Sequence, residues 1–220
     1  MIKFTYLMLS GIKSLNKMKN LKNHFKNSKN FKIFAKKYID YLNDSLNYLD
    51  FESLDQIRKE LENAKKKRKT IFVFGNGGAA ATTITMANDL GFDVMKKSKS
   101  KKTFNITCLN SNQSVLTAIA NDTGYENIFL NQLKIKFKKG DVAIILSASG
   151  NSDNLIKAAK WIKGKGKGKI FAFVGFDGGK LLNYCNEYIL IKSLKSDYGP
   201  VEDIQLIINH IFAHWFQNKF

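Results

Sequence analysis

The chain has 220 residues but only one proline and two cysteines. That excludes a collagen-like or proline-rich repeat, and two thiols cannot staple a disulfide scaffold. No apolar run reaches the ~18 residues of a membrane span. Only two of the 36 cationic residues, Arg58 and Arg68, are arginine. Arginine grips phosphate and guanine bidentately, so its scarcity argues against a nucleic-acid partner. Acidic residues are missing before Asp40, whereas ten lysines precede it, so the first 39 residues carry +10 of the formal +18. The remaining +8 reads as a solvated lysine surface. What the chain does hold is 44% hydrophobic residues with 17 Phe, enough for a core. The expectation is a reduced, cytoplasmic protein with no membrane segment.

Residues 1–30 read as a basic N-terminal extension, either a disordered leader or a start placed too early. Phe4–Ile12 follows Lys3 as in a signal peptide, but no small-residue cleavage site follows it. An amphipathic helix lying on a membrane surface is the other reading of this segment. Residues 31–220 read as one domain, the default at this length.

Phe31–Leu49 and Leu54–Lys67 show helical spacing of apolar residues. The period then changes. Short apolar runs recur at Thr70–Phe74, Thr103–Leu109, Val142–Ser147, Ile170–Val174 and Tyr188–Ile191. Helical patterns lie between most of them, at Ala80–Phe92, Ser114–Ala120 and Leu155–Lys163, and a last one covers Val201–Gln217. Continuous apolar strands alternating with helices predict an α/β fold, a doubly wound five-stranded parallel sheet of flavodoxin-like type behind a helical hairpin. Ligands of such sheets bind at the carboxyl ends of the strands. Gly164–Lys169 reads as a mobile surface connection.

Two of those strand ends carry chemistry. Gly75-Asn76-Gly77-Gly78 leads from a strand into a helix, where glycine lets backbone approach a ligand and the helix offers unpaired N–H groups. It lacks the lysine of a P-loop and the GxGxxG spacing of a dinucleotide site, and a plain tight turn fits it as well. Ser147-Ala148-Ser149-Gly150-Asn151-Ser152 is more specific. Three hydroxyls and successive N–H groups converge on a helix N-terminus, a phosphate cradle without a cation. One serine suffices for a cap, so three point to an anion.

The strings FGNGGAAATTITMANDL, ANDTGYENIF, GDVAIILSASGNSDNLIKAAK, FVGFDGGKL and VEDIQLIINH resemble a sugar isomerase (SIS) domain. Within it they are most similar to the phosphoheptose isomerase branch. The resemblance implies a phosphate loop at Ser147, Ala148, Ser149 and Ser152. It places Asn76, Gly77 and Gly78 along the sugar and Asn121 and Asp122 on its hydroxyls. It assigns the acid/base pair to Asp89 and His210, and Glu202 to substrate contact. It also implies a homotetramer with sites between subunits, to which an apolar last helix (Ile204, Ile207, Ile208, Ile211, Phe212, Trp215) is suited; packing on the chain's own sheet is the plainer use of that face.

Several positions depart from the branch. Asp89 stands for its glutamate, Thr85 for the histidine of zinc-binding members, Ala79 for a serine and Glu202 for a glutamine. Asp89, Glu202 and His210 remain as candidate metal ligands, but the expected zinc set is degraded. His214, four residues after His210, lacks the glutamate of HExxH and reads as packed or interfacial. Trp161 and Trp215 read as core or interface, Cys108 and Cys185 as buried thiols, and His24 as without chemistry.

The implied reaction interconverts sedoheptulose 7-phosphate and heptose 7-phosphate through an enediol, for heptose supply to lipopolysaccharide or capsule. A carboxylate and an imidazole on facing helices suit its proton transfers. The alternative is a non-catalytic SIS module that binds a phosphosugar or a partner protein, such as a replication initiator.

Overall fold

The computed structural model describes residues 19–98 and 103–220. Phe4–Ile12 and most of the segment read as an extension lie outside the described residues. Leu21–Lys26 (α1) belongs to that segment but is helical and tied down. Asn20 caps it, and the Leu21 N–H donates to the buried Asp197 carboxylate at 3.2 and 3.3 Å.

The hairpin is Phe31–Leu46 (α2) and Phe51–Lys66 (α3). Asn30 and Asp50 start the two helices by accepting N–H groups of their first turns. Five strands follow: Thr70–Gly75 (β1), Asn105–Cys108 (β2), Val142–Ser147 (β3), Lys169–Val174 (β4) and Glu187–Leu190 (β5). All neighbouring pairs are parallel, in the order β2-β1-β3-β4-β5. The expected doubly wound sheet is therefore the observed one.

Both faces of the sheet are covered, which explains the continuous apolar runs. Ile71, Val73, Ile144, Leu146, Phe171 and Phe173 face Phe51–Lys66, Gly78–Asn88 (α4) and Tyr198–Lys219 (α9). Phe72, Phe74, Ile145, Ala172 and Val174 face Ile128–Lys136 (α7) and Asp153–Trp161 (α8). Val94–Lys97 (α5) and Gln113–Thr123 (α6) complete the helices on the two sides of β2.

Two sequence expectations change. The helix expected over Ala80–Phe92 ends as α-helix at Asn88 and continues as a π turn, Asp89–Asp93. Gly164–Lys169 is not a loose connection. Ile162–Gly166 forms another π turn, Gly166 is buried, and a Cβ on Gly168 would meet the Phe137 ring at 2.3 Å. Among the described residues, no helix is long and apolar enough to cross a membrane.

Candidate functional site

The chain leaves β1 toward one side of the sheet and β3 toward the other, so the loops after these adjacent strands flank a crevice. Asn76 and Asn154 span it by a reciprocal amide pair, at 2.9 and 3.0 Å. The Tyr125 hydroxyl donates to the same Asn76 oxygen at 3.2 Å. Asn110 bonds the Gly75 N–H and C=O and so braces the first loop from β2.

The loop after β3 is shaped by its own serines. Ser147 Oγ accepts the Gly150 N–H at 3.0 Å, and Ser149 Oγ accepts that of Asn151 at 3.3 Å. Gly150 has φ +61°, and a Cβ there would lie 1.9 Å from the Gly178 carbonyl oxygen. Only glycine fits that backbone and that approach. The Leu181 and Lys180 N–H groups donate to Gly150 O and Asn151 Oδ1, fastening this loop to the one after β4. Ser152 begins α8 without a side-chain cap bond, so its hydroxyl is not committed to the helix. Among the described residues, the N–H groups of Ser152, Asp153 and Asn154 meet no protein acceptor. Ala148 is buried and holds the Gly175 N–H by its carbonyl.

Asp89 and His210 come together. Asp89 Oδ2 lies 3.8 Å from His210 Nε2, with the carboxylate buried and the imidazole half exposed. Asn209, fully buried on α9, donates to the same Oδ2 at 2.6 Å. Asn88 donates to the other oxygen at 3.2 Å. Asn209 Oδ1 and, one turn earlier, Gln205 Oε1 are buried without partners. Each such acceptor costs about 1–3 kcal/mol.

Glu202 takes another place. Its carboxylate sits at the start of α4, where a Gly78 Cβ would lie 2.3 Å from Oε2, and it accepts the Gly78 N–H. Burial pushes its pKa above the usual carboxylate range, and Asp203 adds repulsion, while the Gly78 bond pulls it back. The eight residues between Glu202 and His210 correspond to about 12 Å of helix, and the eleven from Gly78 to Asp89 to about 16 Å. Within one chain the acid/base pair is thus well separated from the loops. Asn121 and Asp122 bond each other at 2.9 Å and face solvent on α6.

The residues present do not make a zinc site within the chain. Asp89 and His210 converge, but Glu202 is engaged at Gly78 and Thr85 returns its hydroxyl to the Ala81 carbonyl. Among the described residues no three His, Cys, Asp or Glu side chains form a metal-binding group. Zinc needs about four ligands, or three and a water.

The remaining single residues sort as follows. His214 is exposed on α9, not packed inside the chain. On the same helix Ile204, Ile208 and Phe212 are in the chain's own core, while Ile211 and Trp215 are about half exposed. The apolar face is therefore split between the two uses expected of it. Trp161 packs edge-on against Phe137, and His24 against Tyr41. Cys108 is buried, and Cys185 is half-buried, its thiol pushed up to about 12 chiefly by desolvation. Asn110, Asn154, Gln205 and Asn209 were not legible as site residues, because amides carry no spacing signal; Tyr125 stood only inside a resembling string.

Residues 37–174 match the SIS domain family model. A parallel sheet with a serine-lined loop at the end of β3 defines the same class, and the chain belongs to the SIS domain proteins. A phosphoheptose isomerase of Clostridium acetobutylicum is 37% identical over 165 residues, covering 74% of this chain and 81% of that protein. A probable phosphoheptose isomerase of Thermoplasma acidophilum is 31% identical over 84% of this chain and 99% of that one. The chain belongs to the phosphoheptose isomerases, a family of enzymes. Two solved phosphoheptose isomerases share its fold: that of Francisella tularensis (TM-score 0.71, 18% identity, 86% of this chain, 100% of that one) and that of Neisseria gonorrhoeae (0.66, 24%, 76% and 86%).

Proposed function

We propose that this enzyme interconverts sedoheptulose 7-phosphate and heptose 7-phosphate through an enediol, in the cytoplasm, for heptose supply to a surface polysaccharide. The observation that carries the reading is the Asp89–His210 pair, a carboxylate facing an imidazole on neighbouring helices at 3.8 Å. One group removes the proton from the carbon beside the carbonyl, and the other passes a proton to the carbonyl oxygen. Asp89 is one methylene shorter than glutamate, and a shift of about 1.5 Å or a water bridges that gap.

The Ser147–Ser152 loop holds the phosphate by hydroxyls and N–H groups at the start of α8. Asn76, Gly77, Gly78 and Glu202 line the sugar, and Asn121 and Asp122 bond its hydroxyls. A homotetramer reconciles the separation of the acid/base pair from the loop. A second copy brings its phosphate loop to the Asp89–His210 face, which the exposed Ile84, Phe92, Met95, Ile211 and Trp215 accompany.

The test is incubation of purified protein with sedoheptulose 7-phosphate, with and without zinc, following aldose formation. Turnover is expected. Tight binding without turnover in either condition would instead favour a phosphosugar-binding or partner-binding SIS module. Light scattering of the purified protein checks the tetramer.

A further inference from the structure

Asn209 occupies a position that simple packing would fill otherwise. Its helix neighbours on the buried face, Gln205 apart, are apolar: Ile204, Ile208 and Phe212. It is fully buried, its Nδ2 is 2.6 Å from Asp89 Oδ2, and its own Oδ1 has no partner. The oxygen it holds is the one that His210, the next residue of the chain, faces at 3.8 Å. Asp89 also begins the π turn, where the backbone of its helix widens. Such turns recur at functional positions.

The orientation of the amide follows from the charge it meets. With Asp89 ionised, only the NH2 end can face the carboxylate, since an amide oxygen there would repel it. With Asp89 protonated, a half-turn of the amide presents Oδ1 as acceptor for the carboxyl O–H. One side chain therefore serves both proton states, whereas leucine serves neither.

We propose that Asn209 is a positioning residue for the isomerisation: it fixes Asp89 Oδ2 before His210 and follows the carboxyl through its proton cycle by turning its amide. This rests on the reading of Asp89 and His210 as the acid/base pair. It gives the shorter carboxylate a fixed direction at a point where a freely rotating one would sample unproductive orientations.

The test compares wild type, Asn209→Leu, Asn209→Ser and Asp89→Asn in the full chain with sedoheptulose 7-phosphate, recording kcat, KM and melting temperature. Asn209→Leu should lower kcat about 10- to 100-fold with KM within about twofold. It should also slow exchange of the substrate's transferred hydrogen with deuterated solvent in parallel. A merely structural role would lower the melting temperature and the fraction of active protein, with turnover per folded site unchanged. If Asn209→Leu does not fold, Asn209→Ser gives the same reading, since its short hydroxyl cannot span the 2.6 Å contact made by the amide. Wild-type kcat per folded site in whichever variant folds, with Asp89→Asn inactive, overturns the proposal alone. An active Asp89→Asn overturns the acid/base reading beneath it.

Discussion

Asp89 on the first helix after β1 and His210 on the last helix face each other at 3.8 Å, although 121 positions separate them in sequence. His210→Ala and Asp89→Asn should each lower kcat at least 100-fold, the range a positioned acid or base contributes. Phosphosugar affinity, measured by calorimetry, should change by no more than a few-fold. Normal turnover in His210→Ala would show that the pair is wrongly assigned.

Ser149→Ala should act in the opposite way. Its hydroxyl is part of the phosphate loop and far along the helices from the acid/base pair. A lost hydrogen bond to a charged group is worth about 1.5–3 kcal/mol, so KM should rise roughly 10- to 100-fold with kcat little altered. A fall in kcat at unchanged KM would separate Ser149 from phosphate binding.

Gly150→Ala should fail structurally. Backbone strain at φ +61° alone costs about 1–3 kcal/mol, and the new Cβ would collide with Gly178 O. A melting temperature lower by several degrees is expected, together with loss of inorganic phosphate protection against thermal unfolding. An unaltered melting curve would mean that the two loops separate readily.

Glu202→Gln tests the raised carboxyl pKa. In the native chain Glu202 holds its proton above its unfolded value of 4.5, mainly through burial. A raised pKa favours the fold at low pH, and that contribution is lost as pH rises through the native value. The glutamine variant carries no charge to desolvate. It should melt higher than wild type at pH 7, and the difference should shrink below about pH 4.5. An equal gain at both pH values would remove ionisation as the cause.

The sheet was legible because its strands are buried on both faces, so each run of Val, Ile, Phe and Leu stands out undiluted. The phosphate loop was legible because Ser147, Ser149 and Ser152 exceed what one cap requires. The Asp89 network was not. Asn209 and Gln205 look like surface amides in sequence, and only the packing of α9 on α4 turns them inward. Glu202 was expected beside the metal candidates, but its placement at Gly78 depends on an inter-helix contact that no local pattern encodes.

The π turn at Asp89–Asp93 also sets the helical phase of everything after it. Each residue advances an α-helix by about 100°, so removing one residue from the turn would restore regular winding but rotate its sequel by that amount. Asp89 would keep its place against Asn209. Val94 would swing out of the core, and Phe92 and Met95 would leave the surface beside the acid/base pair. A single deletion there uncouples the proton-transfer groups from their neighbouring apolar face without touching either set of side chains.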